Sequence, residues 1–131
     1  MVQTVRPLSP HLSIYRWQIQ MVTSILHRAS GVFLVLGAAL ICVGLLALAS
    51  GSDAFATLHA FCASWIGILL LIGWTWCFSF HLLNGIRHLL QDIGWGYGID
   101  QFVRNGWIAS IGSIVLTALI WIWALGIGGA L

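Results

Sequence analysis

Two clusters of polar residues carry the chemistry open to this chain. Ser24, His27, Arg28 and Gly31 recur at i, i+3, i+4 and i+7, and His81, Asn84, Gly85 and His88 repeat that spacing. On helices, each set falls on one face. His81 follows 21 uncharged residues and lies about 10.5 Å of helical rise before His88, so it is the deeper of the two in any apolar layer. A neutral imidazole on an interior face, with Gly85 one turn away leaving room for a flat macrocycle, suits axial ligation of a b-type haem. A histidine hydrogen-bonded across a helix interface fits the same position. His81 and His88 cannot share one iron, because axial ligands approach from opposite sides and these two lie on one side of one helix. A bis-His haem would take its second ligand from another chain.

Arg28 pairs a permanent cation with a hydroxyl one turn away, Ser24. Together they can hydrogen-bond an oxygen that gains negative charge during a reaction. A quinone carbonyl is such an oxygen, since it becomes anionic on accepting one electron. Snorkelling of Arg28 to lipid headgroups is the plainer alternative. Trp17, just upstream, would wall an aromatic head group or join an interfacial belt. Arg87 is expected to face headgroups or a peripheral partner, and His88, four residues before Asp92, to make a hydrogen bond or ion pair at a helix end. His59 and His11 read as interfacial or structural. No nucleophile–base pair, paired carboxylate, phosphate-binding glycine loop or thiolate cluster occurs, which leaves hydrolase and kinase chemistry without support. The three cysteines, Cys42, Cys62 and Cys77, sit in apolar runs and read as small buried hydrophobes.

The elements that must position these residues follow from composition. The 131 residues are 60% hydrophobic and 6% charged, against roughly 25% charged in an ordinary soluble domain. Residues 29–52 carry no charge, nor do 60–80, nor anything after Arg104. Each stretch has the length, about 20 residues, that a helix needs to cross the hydrocarbon layer. The fold class expected is therefore an all-α membrane protein with three transmembrane helices at about 29–50, 60–81 and 107–128. Residues 1–23 form a cytoplasmic, interfacial arm, and 24–131 one transmembrane domain. The arm, with Pro7 and Pro10, is expected to be extended rather than to continue the first helix.

All five basic residues are arginines; Arg6, Arg16 and Arg28 precede the first span, and Arg87 and Arg104 lie between the second and third. The positive-inside rule then puts the N-terminus in the cytoplasm and the C-terminus in the periplasm. Because the first span runs outward and the second returns, both polar clusters end near the same membrane face and can line one site. The net charge of +2 comes without a basic stripe, which sets nucleic acid aside. Three spans give few faces on which to bury polar groups, so a membrane partner is expected.

The strings RPLSPHLSIY, SILHRASG and HLLNGIRHLLQDIG resemble the cytochrome b anchor family of succinate dehydrogenase, respiratory complex II. They cover about a quarter of the chain and bracket the first two spans in order. The resemblance implies a three-helix anchor paired with a second membrane anchor subunit, with an iron–sulfur subunit and a flavoprotein subunit docked on the cytoplasmic side of a bacterial inner membrane. It implies that His81, opening an HxxxGxRH pattern, is one axial ligand of a haem b whose other ligand comes from the second anchor. It implies that Ser24 and Arg28, in an SxxHR pattern, belong to a ubiquinone site with Trp17 beside it, and that His27 and Arg28 are candidates for the haem propionates. A haem-free structural anchor, and an anchor of a fumarate-reducing relative using menaquinol, stand as the alternatives.

Overall fold

A computed structural model describes residue 14 and residues 16–128 as four helices, with no strand among the described residues: α1 (Ile19–Ser50), α2 (Ser52–Ala63), α3 (Trp65–Asp92) and α4 (Ile99–Gly128). The long helices α1, α3 and α4 are the three with the length and hydropathy to cross a membrane, so the all-α class with three spans is met. At 1.5 Å per residue each exceeds the ~30 Å hydrocarbon layer and projects beyond it. Each of the three packs on the other two, and α3 meets α4 most extensively.

Local chemistry sets the helix ends. Gly51, at φ 131°, closes α1 and starts α2, a conformation that side-chain-bearing residues rarely adopt. Ser64 separates α2 from α3: its hydroxyl donates to the Phe61 carbonyl at 2.6 Å and accepts from the Gly67 amide at 3.2 Å, capping α3. A Cβ on Gly67 would collide with the Phe61 carbonyl and the Cys62 backbone, so glycine allows the two helices to meet end to side. At the other end of α3, Gly94 N–H donates to Gln91 O at 2.8 Å and Trp95 N–H to Leu90 O at 3.0 Å, with Gly94 at φ 86°. That is the Schellman arrangement, and it satisfies two carbonyls that the helix end leaves open.

Two expectations on element limits change. The second membrane helix starts at Trp65 and runs to Asp92, and residues 60–63, assigned to it from charge spacing alone, belong to the separate short helix α2. The first helix begins at Ile19, inside the stretch read as arm, while 16–18 are non-helical; Pro7, Pro10, His11 and Tyr15 lie outside the described residues. Apolarity reports membrane depth, whereas Ser64 and Gly51 report backbone breaks, and these need not coincide.

The interior is polar and the surface apolar. Among the described residues the buried hydrophobic ones are Cys77, Phe80 and Ala109, whereas Thr23, Ser30, Ser79, Asn84, Ser113 and Thr117 are all buried. Val35, Leu46, Leu69, Leu70, Ile114 and Leu119 are exposed. Small and polar residues let helices approach closely when the surrounding solvent is hydrocarbon. The buried hydroxyls spend their hydrogens on carbonyls three or four residues back, as Ser79 does on Thr75 at 3.0 Å and Thr117 on Ser113 at 2.8 Å.

Candidate functional site

The N-terminal part of α1 and the C-terminal part of α3 bring the two polar clusters together. The His27 and His81 rings stack with centroids 4.0 Å apart and planes 12° apart, and His88 approaches His27 at 5.2 Å. Gly31 makes the stacking possible: a Cβ there would stand 3.2 Å from His81 Cε1. Gly85 faces His27, with 3.9 Å from a built Cβ to the ring carbon, so the space expected beside it is shared with an imidazole.

His81 is held through Nδ1, which lies 3.1 Å from the His27 carbonyl oxygen and 3.2 Å from Ser30 Oγ. Ser30 sends its own proton to the same carbonyl at 2.8 Å. Both oxygens therefore act as acceptors toward His81, and the Nδ1–H tautomer is the one that satisfies them. The Nε2 lone pair is then free, and no hydrogen bond to Nε2 occurs among the described residues. This is the arrangement by which backbone carbonyls orient metal-ligating histidines. His27 Nδ1, by contrast, is buried without a partner, an open hydrogen-bonding position next to that ring. An imidazole anchored through Nδ1, with no hydrogen-bond partner on Nε2 among the described residues and flanked by an unsatisfied buried nitrogen and by glycine, fits a haem held from this chain on one side.

The α1 cluster does not stay on one face. Thr23, His27 and Ser30 turn toward α3, while Arg28 is exposed and Ser24 half-buried. Ser24 and Arg28 form a stripe alongside the histidine face and open away from the bundle. Arg28 makes no hydrogen bond or ion pair among the described residues, so its guanidinium is available to a ligand or a partner. Trp17, 64% exposed, lies just before α1, seven residues before Ser24.

Arg87 is placed differently from expectation. It is 7% exposed, donating from Nη1 to Asn84 Oδ1 at 2.9 Å and to Thr23 Oγ1 at 3.2 Å, with its guanidinium carbon 4.9 Å from the centre of the Phe102 ring. It ties α3 to α1 and α4 instead of reaching headgroups. Asn84, fully buried, enters the sequence reading only as part of a helical face, and Ser30 and Thr23 do not enter it. The signal for Thr23 and Ser30 is their spacing, which extends the α1 polar face by one turn on each side of His27. His59 sits exposed on α2 beside Phe55, away from this site.

Residues 3–120 match the family described as the succinate dehydrogenase/fumarate reductase transmembrane subunit. The succinate dehydrogenase cytochrome b556 subunit of Paracoccus denitrificans is 41% identical over 114 residues, covering 87% of this chain and 88% of that one. The cytochrome b556 subunit of Rickettsia prowazekii is 41% identical over 117 residues, 89% of this chain and 91% of that one. The mitochondrial cytochrome b560 subunit of Mus musculus is 36% identical over 119 residues, 87% of this chain and 66% of that one.

Proposed function

The chain belongs to the family of succinate dehydrogenase/fumarate reductase transmembrane subunits, and from that premise we propose that it is the haem b-binding membrane anchor of a succinate:ubiquinone oxidoreductase. The reading rests above all on one observation, the His81 Nδ1 contact with the His27 carbonyl, because it leaves Nε2 as the ligating atom. His81 would hold the haem iron from this chain, and a second membrane anchor subunit would supply the other protein ligand. Haem b, when bound, would supply one-electron redox capacity. His27, with its unpartnered Nδ1, and Arg28 offer donors to the propionates.

Arg28 and Ser24 bind ubiquinone through a carbonyl oxygen. Their donors strengthen as that oxygen becomes negative, so they favour the reduced state over the oxidised one. Trp17 closes the pocket from the interfacial arm. Two electrons and two protons convert the quinone to the quinol, the electrons arriving from a docked iron–sulfur subunit fed by a flavoprotein subunit that holds the dicarboxylate. The arginine distribution supports an N-terminus in the cytoplasm, a C-terminus in the periplasm and residence in the bacterial inner membrane.

Two substitutions test this in the purified complex. Arg28→Ala is expected to lower succinate:quinone reductase activity by about 10²-fold, the scale of losing a preorganised donor, while succinate oxidation by an artificial dye persists. His81→Ala is expected to remove the reduced-minus-oxidised spectrum of a bis-His b-type haem. Unchanged quinone kinetics in the first, or an unchanged spectrum in the second, overturns the corresponding assignment.

A further inference from the structure

Between α3 and α4 lies a cavity of about 370 Å³ with no histidine in its lining, which includes Arg87, Gln91, Asn105, Leu83, Ile108 and Gly112. Its polar end carries unspent hydrogen-bond donors. A guanidinium has five N–H groups, and Arg87 directs Nη1 to Thr23 and Asn84, leaving the Nε hydrogen and those of Nη2 without partners among the described residues. Arg87 Nε and Gln91 Nε2 are both buried and unpartnered, and Gln91 is 6% exposed. Among the described residues no carboxylate contacts Arg87: Asn84, Thr23 and the Phe102 ring are its neutral neighbours, and Asp92 and Asp100 are exposed. A buried cation without a counter-ion is costly in a membrane. The other end of the cavity is apolar, and it continues onto Ile86, Leu90 and Ile108, which are exposed on the hydrocarbon-facing surface. Trp95, also lining the cavity, marks the interfacial level.

We propose that this cavity binds an anionic phospholipid, its phosphate held by Arg87 and Gln91 and one acyl chain running along Leu83 and Ile108. The charge comes from the uncompensated guanidinium and the acyl chain from the apolar wall, so a neutral amphiphile meets only half of the site and a free anion the other half. A turn of the Gln91 amide presents its Nε2 to the phosphate. The site lies at the end of the bundle where α3 passes into α4, in the leaflet that meets residues 93–98. Its lining includes none of the residues assigned above to the haem or the quinone, and its failure would leave that reading intact.

The test uses the chain purified in neutral detergent with its co-purifying subunits. Native mass spectrometry is expected to show one phosphatidylglycerol or cardiolipin retained per copy of this chain. The thermal midpoint of the delipidated complex is expected to rise on adding phosphatidylglycerol, but not phosphatidylcholine or inorganic phosphate. Gln91→Leu, which removes only an unpartnered amide, is expected to weaken the phosphatidylglycerol response at least fivefold, and Arg87→Lys to weaken it less than Arg87→Gln. Because Arg87→Gln can fail to assemble, Gln91→Leu decides. An equal response to phosphatidylcholine, a response to inorganic phosphate alone, no retained anionic lipid, or a Gln91→Leu complex that behaves as wild type overturns the proposal.

Discussion

A carbonyl oxygen cannot donate a proton, so His81 meets the His27 carbonyl only with Nδ1 protonated, and under the proposed haem ligation that one contact selects Nε2 as the ligating nitrogen. Ser30 reinforces it, its hydroxyl bridging the carbonyl and the imidazole. Ser30→Ala therefore keeps the backbone acceptor and removes one of two. Haem retention in the purified complex, followed by absorbance during dialysis against apomyoglobin, is expected to weaken by about tenfold, the lower end of what orienting partners contribute; retention equal to wild type would remove Ser30 from that role. Gly31→Val acts on the same ring by volume. The built Cβ already stands 3.2 Å from His81 Cε1, and two further methyl groups would push against the same ring, so the spectrum is expected to be lost even where the subunit still assembles.

At the scale of elements, short polar signals decide where long apolar helices stop. Ser64 and Gly67 create the break between α2 and α3, and Gly94 closes α3. Gly94→Ala forces a Cβ into a positive-φ position, at a cost of about 1–2 kcal/mol. A lowered thermal midpoint of the complex with unaltered haem absorbance is the expected signature, since the turn lies past the histidines. The termini of α1 show the limit of charge-based reading: the helix starts at Ile19, well before the apolar run, because nothing between Ile19 and Arg28 breaks a helix. That early start is what puts Thr23 and His27 on a regular helical face opposite Arg87 and His81.

The whole molecule inverts the usual distribution, with hydroxyls and amides inside and aliphatic chains outside. On α4 this yields a face of Gly106, Ala109, Ser113 and Thr117 turned inward and Ile111, Ile114 and Leu119 turned outward. Ser113 is fully buried, so Ser113→Leu overpacks the interface and is expected to cost about 1–3 kcal/mol, read as loss of assembled complex in membranes. Ile114→Leu, one residue along on the outer face, is expected to leave assembly at the wild-type level. An equal effect of the two would mean that α4 does not pack through this face.

The three spans, the all-α class and the meeting of two polar clusters at one end were legible in the sequence, because charge-free length and 3.6-residue spacing are local properties of the chain. Family membership was legible too, in the strings around His27 and His81. What only the tertiary structure decided is which way each polar residue turns once helices are packed. Spacing put Ser24, His27 and Arg28 on one broad face, and the rotation at which α1 packs on α3 split it, turning His27 toward His81 and leaving Arg28 exposed. Arg87 read as a headgroup contact until α4 brought Phe102 over it and α1 brought Thr23. Periodicity fixes relative angles within one helix, but rotation of that helix about its axis is set by its neighbours. The proton on His81 and the counter-ion missing from Arg87 both depend on that rotation.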